Sequence, residues 1–155
     1  PNLNDDDWLW GGTLAEIHTT LEHGIRSTND DKTRISAMPA FGRDGILKKE
    51  EVRTVSNYVR TLSGLVAEAS FDKAAGAKLF TENCAACHGE KGQGNKELGA
   101  PNLTDAITLY GSGLEEIVET VSNSRSGLMP AWRARLDPVT IKSLAVYVHS
   151  LGGGK

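Results

Sequence analysis

Cysteine is scarce in this chain: two residues among 155, Cys84 and Cys87. A structural zinc site would ask for further ligands at matching spacing, and no other cysteine supplies them. Net charge is small as well, −3 with histidine neutral, and no basic stripe offers nucleic acid a track. Long apolar runs are missing, none approaching the roughly 18 residues that a membrane span requires. No stretch survives as a strand candidate, and the apolar residues recur at helical spacing, so the expected class is all-α. The chain opens at Pro1 with neither an initiator methionine nor a signal peptide, the look of a mature product or of a fragment of something longer. Its length suits one ordinary domain or two very small ones.

What is present starts with CAACH, Cys84 to His88. Two thiols one helical turn apart can bond the two vinyl groups of a single porphyrin, and the adjoining His88 offers an imidazole to its iron, so the pentapeptide reads as a c-type haem attachment site. A thioredoxin-like redox pair or half of a zinc site would use Cys84 and Cys87 without needing His88. Haem attachment consumes both thiols, so cysteine pairing says nothing of the redox compartment. A covalently held, largely apolar macrocycle would also add buried area to domains near the lower limit of self-sufficient cores.

An internal repeat gives the motif a setting. PNLNDDDWLWGGTLAEIHTT from Pro1 matches PNLTDAITLYGSGLEEIVET from Pro101. Further on, MPAF at Met38 to Phe41 answers MPAW at Met129 to Trp132, the first copy carrying a short insertion around Asn29 to Ser36. YVRTLSG from Tyr58 then answers YVHSLGG from Tyr147. Three matched blocks in one order imply two homologous domains: residues 1–64 as a partial domain without an attachment segment, 65–70 as linker, and 71–155 as a complete domain with covalent haem.

Taken in order, the chain predicts short helices joined by Gly-, Pro- and Asn-rich connections. Thr13 and Glu16 form a capping box ahead of an apolar face of Leu14, Ile17, Leu21 and Ile25, which stops near Gly24. Met38 to Gly45 is non-helical, because Pro39, Gly42 and Gly45 break both regular periods. Lys48 to Leu62 is amphipathic and ends at Ser63 and Gly64. Helices follow at about Asp72 to Asn83, Leu114 to Val121 and Pro138 to Leu151. His18 and His23 miss the four-residue spacing of two ligands on one helical face. His149 is answered by Arg60 in the repeat, which argues for a surface position.

CAACHG followed by a loop, PNL, a Met-Pro and a terminal helix with Tyr147 and Leu151 resembles a class I cytochrome c. The tandem narrows this: PNLNDDDWLWGG with MPAFG, then GAKLFTENCAACHG with APNLTD, is similar over nearly the whole chain to the di-haem cytochrome c subunit (subunit III) of cbb-type haem-copper oxidases. The sequence departs from that family in holding no first CAxCH segment and no N-terminal membrane anchor. The resemblance implies two tandem class I cytochrome c-like domains, the first incomplete, and one haem c, with a second only if an upstream attachment segment exists. It implies that Cys84 and Cys87 form the thioethers, that His88 is the proximal ligand, and that Met129 is the sixth. Met129 has physical support of its own, since a thioether raises the potential of the iron and Pro130 fixes the loop presenting it. Met38 would be the corresponding ligand of the missing first haem.

The resemblance also makes the Pro101 carbonyl the acceptor for the His88 ring N–H, against the alternative of a plain turn proline. Arg125 resembles residues that approach a haem propionate, or is a solvated surface charge. Tyr110 and Trp132 wall the pocket or belong to ordinary core. Gly76, Phe80 and Tyr147 look like the family's packing of first helix against last. With both axial positions filled, the domain would relay single electrons rather than transform a substrate. In the oxidase reading the donor is a cytochrome c and the acceptor the catalytic oxidase subunit, on the periplasmic side of the bacterial inner membrane. Membrane association would come through the absent anchor or through partner subunits. A free periplasmic di-haem carrier, a haem peroxidase or sensor, and a haem-free thiol oxidoreductase are the competing readings.

Overall fold

The computed structural model describes residues 2–5 and 7–152. Among the described residues there are six helices: α1 (Leu14–His23), α2 (Lys49–Leu62), α3 (Lys73–Asn83), α4 (Ala85–His88), α5 (Leu114–Asn123) and α6 (Pro138–Ser150). Among the described residues, extended pairing is limited to isolated bridges such as Ile25 with Met129, so the all-α expectation holds.

The helix starts follow from their caps. Thr13 Oγ1 accepts from the Glu16 N–H at 3.3 Å while Glu16 accepts from the Thr13 N–H at 2.9 Å, satisfying two end groups reciprocally. The hydrogen bonds from Thr13 hold the Glu16 carboxyl below its usual range. Gly113 stands at the same place before α5 and keeps only the glutamate half, its N–H donating to Glu116 at 2.9 Å. Asp72 caps α3 by accepting from Ala74 and Ala75, and Asp137 caps α6 ahead of Pro138, which suits the first helical position.

The chain forms two compact units, and neither is one of the repeats. One, here the CAACH unit, comprises Ala37–Asn95 and Ala100–Arg125, and so joins α2 of the first copy to α3, α4 and α5 of the second. The other, the α1–α6 unit, comprises the residues up to Ser36, Lys96–Gly99, and Ser126 onward. The boundaries expected at 64 and 71 therefore do not mark a change of unit: α2, the linker and α3 lie together.

Chain connectivity accounts for this. A short linker brings neighbouring helices together at less entropic cost than a distant partner can be recruited. The linker is also fastened to α2: the Glu68 N–H donates to Asn57 Oδ1 at 2.9 Å, and Asn57 Nδ2 returns a bond to Glu68 Oε2 at 2.9 Å. Arg53 Nε and Nη2 reach the two Glu68 oxygens at 3.0 and 2.6 Å, a forked ion pair that holds the Glu68 carboxyl below its usual range.

In the CAACH unit α3 lies against α2, and Gly76 permits it. A Cβ at Gly76 would come within 2.8 Å of Tyr58 Cβ. The Tyr58 and Phe80 rings then meet at 5.5 Å between centroids, tilted by 50°. Phe41, Leu47, Val52, Val55, Phe80 and Val121 form the core, with Met38, Cys84, Ala85 and Leu103 packed against it. Gly76 and Phe80 thus pack as a first helix packs on a last one, but their partner is Tyr58 rather than the expected Tyr147.

In the α1–α6 unit Trp10, Ile17, Ala131, Ile141 and Ala145 are buried. The Trp132 N–H donates to the Leu21 carbonyl at 3.1 Å, tying the loop before α6 to α1. Leu14, expected on the inner face of α1, is exposed, whereas Ile17 is buried.

Candidate functional site

CAACH occupies a corner between two helices. The Cys84 N–H closes α3 by donating to the Phe80 carbonyl at 2.8 Å, and Cys84 also caps α4, whose one turn is closed by the His88 N–H donating to Cys84 at 2.9 Å. Two thiols three residues apart are thereby set on one turn, with His88 at its end. Cys84 packs against the core and Cys87 is exposed; both are free thiols. Burial, with the neighbouring Cys87, pushes the Cys84 thiol up to about 11.

His88 is buried, and its Nδ1 lies 3.0 Å from the Pro101 carbonyl. That partner makes Nδ1 the protonated nitrogen and leaves Nε2 as the ring atom for a metal. Burial holds the imidazole below the usual histidine range, against the opposing pull of the Pro101 carbonyl. The loop that returns Pro101 to this place is closed by its own backbone: the Gly94 N–H donates to His88 O at 2.8 Å, and the Leu103 N–H to Gly92 O at 2.7 Å. A Cβ at Gly94, whose φ is +81°, would press on the Ala100 carbonyl at 2.8 Å, so this turn requires glycine.

Met38 belongs to this unit. It packs against the same core as Cys84 and Ala85, and its carbonyl accepts from Ser124 Oγ at 2.7 Å. Tyr110 and Arg125 are here too, the guanidinium 5.4 Å from the ring centroid and donating to the Tyr110 carbonyl at 3.2 Å. Met129 and Trp132 lie in the α1–α6 unit instead, Met129 paired by backbone with Ile25 and the Trp132 ring under Arg135. The fold therefore groups Cys84, Cys87, His88, Pro101, Tyr110, Arg125 and Met38 in one unit and leaves Met129 and Trp132 in the other. The exchange follows from the α2–α3 pairing, since α2 brings with it the Met38 loop that precedes it.

The remaining histidines do not assemble a site. His23 Nδ1 lies 3.1 Å from Asp30, and His18 Nδ1 3.6 Å from Glu22, one turn on. Among the described residues no group of three or more His, Cys, Asp or Glu side chains could hold a metal ion. Ser124 and Tyr58 escaped the sequence reading as members of the CAACH unit. The shortness of the linker was the signal that could have found them, since it favours α2 as the neighbour of α3.

The donor set fits a covalently attached haem: two thiols on one turn, a buried imidazole with its distal nitrogen left to coordinate, and a thioether in the same unit. Comparison with known proteins agrees. The family model described as "Cytochrome C oxidase, cbb3-type, subunit III" matches residues 71–148. The cbb3-type cytochrome c oxidase subunit FixP of Bradyrhizobium sp. (strain ORS 278) is 63% identical over all of this chain and 53% of its own length. Subunit FixP of Bradyrhizobium diazoefficiens is 61% identical and subunit CcoP of Cereibacter sphaeroides 55%, each over all of this chain and 53% of its own length. The chain spans about half the length of these relatives. With a c-type haem motif, an α-helical unit built around it and this likeness along its whole length, the chain belongs to the family of subunit III of cbb3-type cytochrome c oxidase.

Proposed function

We propose that the CAACH unit carries one haem c and relays single electrons within a cbb3-type cytochrome c oxidase. The observation that carries this reading is the grouping of Cys84, Cys87, His88 and Met38 in one compact unit. Haem bound there supplies reversible one-electron redox chemistry at its iron. Cys84 and Cys87 anchor it through thioethers. His88, oriented by the Pro101 carbonyl, gives Nε2 as the proximal ligand, and a neutral imidazole held by a carbonyl is a more basic donor than a free one. Met38, the methionine that shares a unit with His88, would hold the iron through its thioether in place of Met129, which suits the haem to electron transfer rather than to substrate chemistry. Met129 occupies the equivalent place in the α1–α6 unit and would serve a haem attached by a segment outside this sequence.

Electrons arrive from a cytochrome c donor and leave to the catalytic subunit, on the periplasmic side of the membrane. Contacts for such transfer are typically small and transient. Among the described residues no helix is long and apolar enough to cross a membrane.

A pyridine haemochrome assay tests the cofactor: one haem per chain is expected, and two or none overturns the reading. Spectroelectrochemistry should give a one-electron transition, and the reduced protein should leave carbon monoxide unbound. Stoichiometric carbon monoxide binding with the structure intact would favour a sensor or peroxidase.

A further inference from the structure

The two methionine loops are held at the same atom, the methionine carbonyl oxygen, by different means. In the α1–α6 unit Ile25 and Met129 exchange backbone bonds, Ile25 N–H to Met129 O and Met129 N–H to Ile25 O, each 2.9 Å. Gly24 ends α1 with φ at 72°, and a Cβ there would overlap the Met129 carbonyl. The matching residue in the CAACH unit is Ser124, which ends α5 with φ at 59°. Its hydroxyl donates to the Met38 carbonyl at 2.7 Å.

A side chain at such a φ is uncommon and strained, and glycine adopts the same backbone without penalty. Strain that persists at one position of a fold calls for a compensating contact, and here the compensation is a hydroxyl that glycine lacks. The far side of the loop is anchored to the same helix. The Phe41 N–H donates to Val121 O at 3.1 Å and the Arg43 N–H to Ser122 O at 2.9 Å. Met38 is therefore the residue at which a side chain of the α5 cap, and not backbone pairing, completes the clamp.

We propose that Ser124 is a positioning residue for Met38. By fixing the Met38 carbonyl it fixes the Cα and the direction in which the thioether leaves the loop, and so resists displacement of that thioether from iron by a competing ligand. This rests on Met38 being the sixth ligand of the haem held by His88.

Imidazole titrated into the oxidised, haem-loaded protein tests it, with the near-infrared iron–thioether band as readout. Ser124→Gly removes the hydroxyl and the strain together. It should raise imidazole affinity roughly three- to tenfold, the scale of one lost hydrogen bond, without a matching fall in melting temperature. Ser124→Ala removes the hydroxyl and keeps the strain, and should show the same gain in affinity with a lower melting temperature. A Ser124→Gly protein that binds imidazole as the parent does overturns the proposal. If Ser124→Ala folds poorly, Ser124→Gly still decides, because glycine carries no Cβ to strain at a positive φ. Met38→Ala separates the two levels: if it keeps the near-infrared band and Met129→Ala loses it, the ligand assignment itself fails, and the clamp with it.

Discussion

The last helix of each repeat copy meets a different fate. On α2, Tyr58 sits over Gly76 and against the ring of Phe80, which is 1% exposed. On α6, Tyr147 stands at the matching place and is 61% exposed, with Val139 and Val146 bare beside it. The sequence pattern is shared, yet one face is core and the other is surface among the described residues. An aromatic at a matched position thus records what kind of neighbour the position suits, while burial depends on whether such a helix is present to cover it.

The comparison breaks most sharply at iron. Met38→Ala in the haem-loaded protein should abolish the near-infrared iron–thioether band, whereas Met129→Ala should leave it. The opposite result would return the sixth position to the ligand that the order of the sequence suggests. Next comes the helix pair. Tyr58→Ala should destabilise the CAACH unit by about 3 kcal/mol, as removal of a packed ring does, and Tyr147→Ala should change stability by about 0.5 kcal/mol or less. Equal effects in thermal or denaturant melting would mean that the exposed face of α6 is covered in solution. The smallest contrast lies at the helix starts. Thr13→Ala should lower stability by about 1 kcal/mol through loss of a cap that accepts from Glu16, while Gly113→Thr should gain a few tenths of a kcal/mol by completing the box. A neutral Thr13→Ala would show that tertiary packing alone holds the start of α1.

The two clamps on the methionine carbonyls extend the same lesson. A glycine and a serine at equivalent helix ends pass as interchangeable caps when read from the sequence. In the fold, one leaves room for a backbone pair and the other provides a hydroxyl, so the two loops differ in how firmly a side chain governs them.

Much of the local structure was legible beforehand. The capping box at Thr13, the helix from about Lys48 to Leu62 and the helix that starts near Asp72 all rest on interactions within a few residues, and they stand where periodicity and end chemistry put them. Pro101 beside His88 was reached through family likeness, with a plain turn left open, and the geometry places its carbonyl on Nδ1. The partner of each helix was harder to read. Sequence order set Met129 after CAACH and Tyr147 after Gly76, and that order is the natural one when each repeat is taken to fold upon itself. A chain of several short helices admits other pairings, and the spacing of the inward apolar residues on α2 and α6 is too alike to choose between them.

By itself the sequence determined the five longer helices to within a residue or two at their ends, the CAACH motif and the two candidate methionines, because each depends on short spacing, backbone preference or the chemistry of a few adjacent groups. Only the tertiary structure decided which methionine shares a unit with His88 and which tyrosine covers Gly76. Those choices depend on the short linker between α2 and α3, fastened by Asn57, Glu68 and Arg53, which makes the chain neighbour the less costly partner.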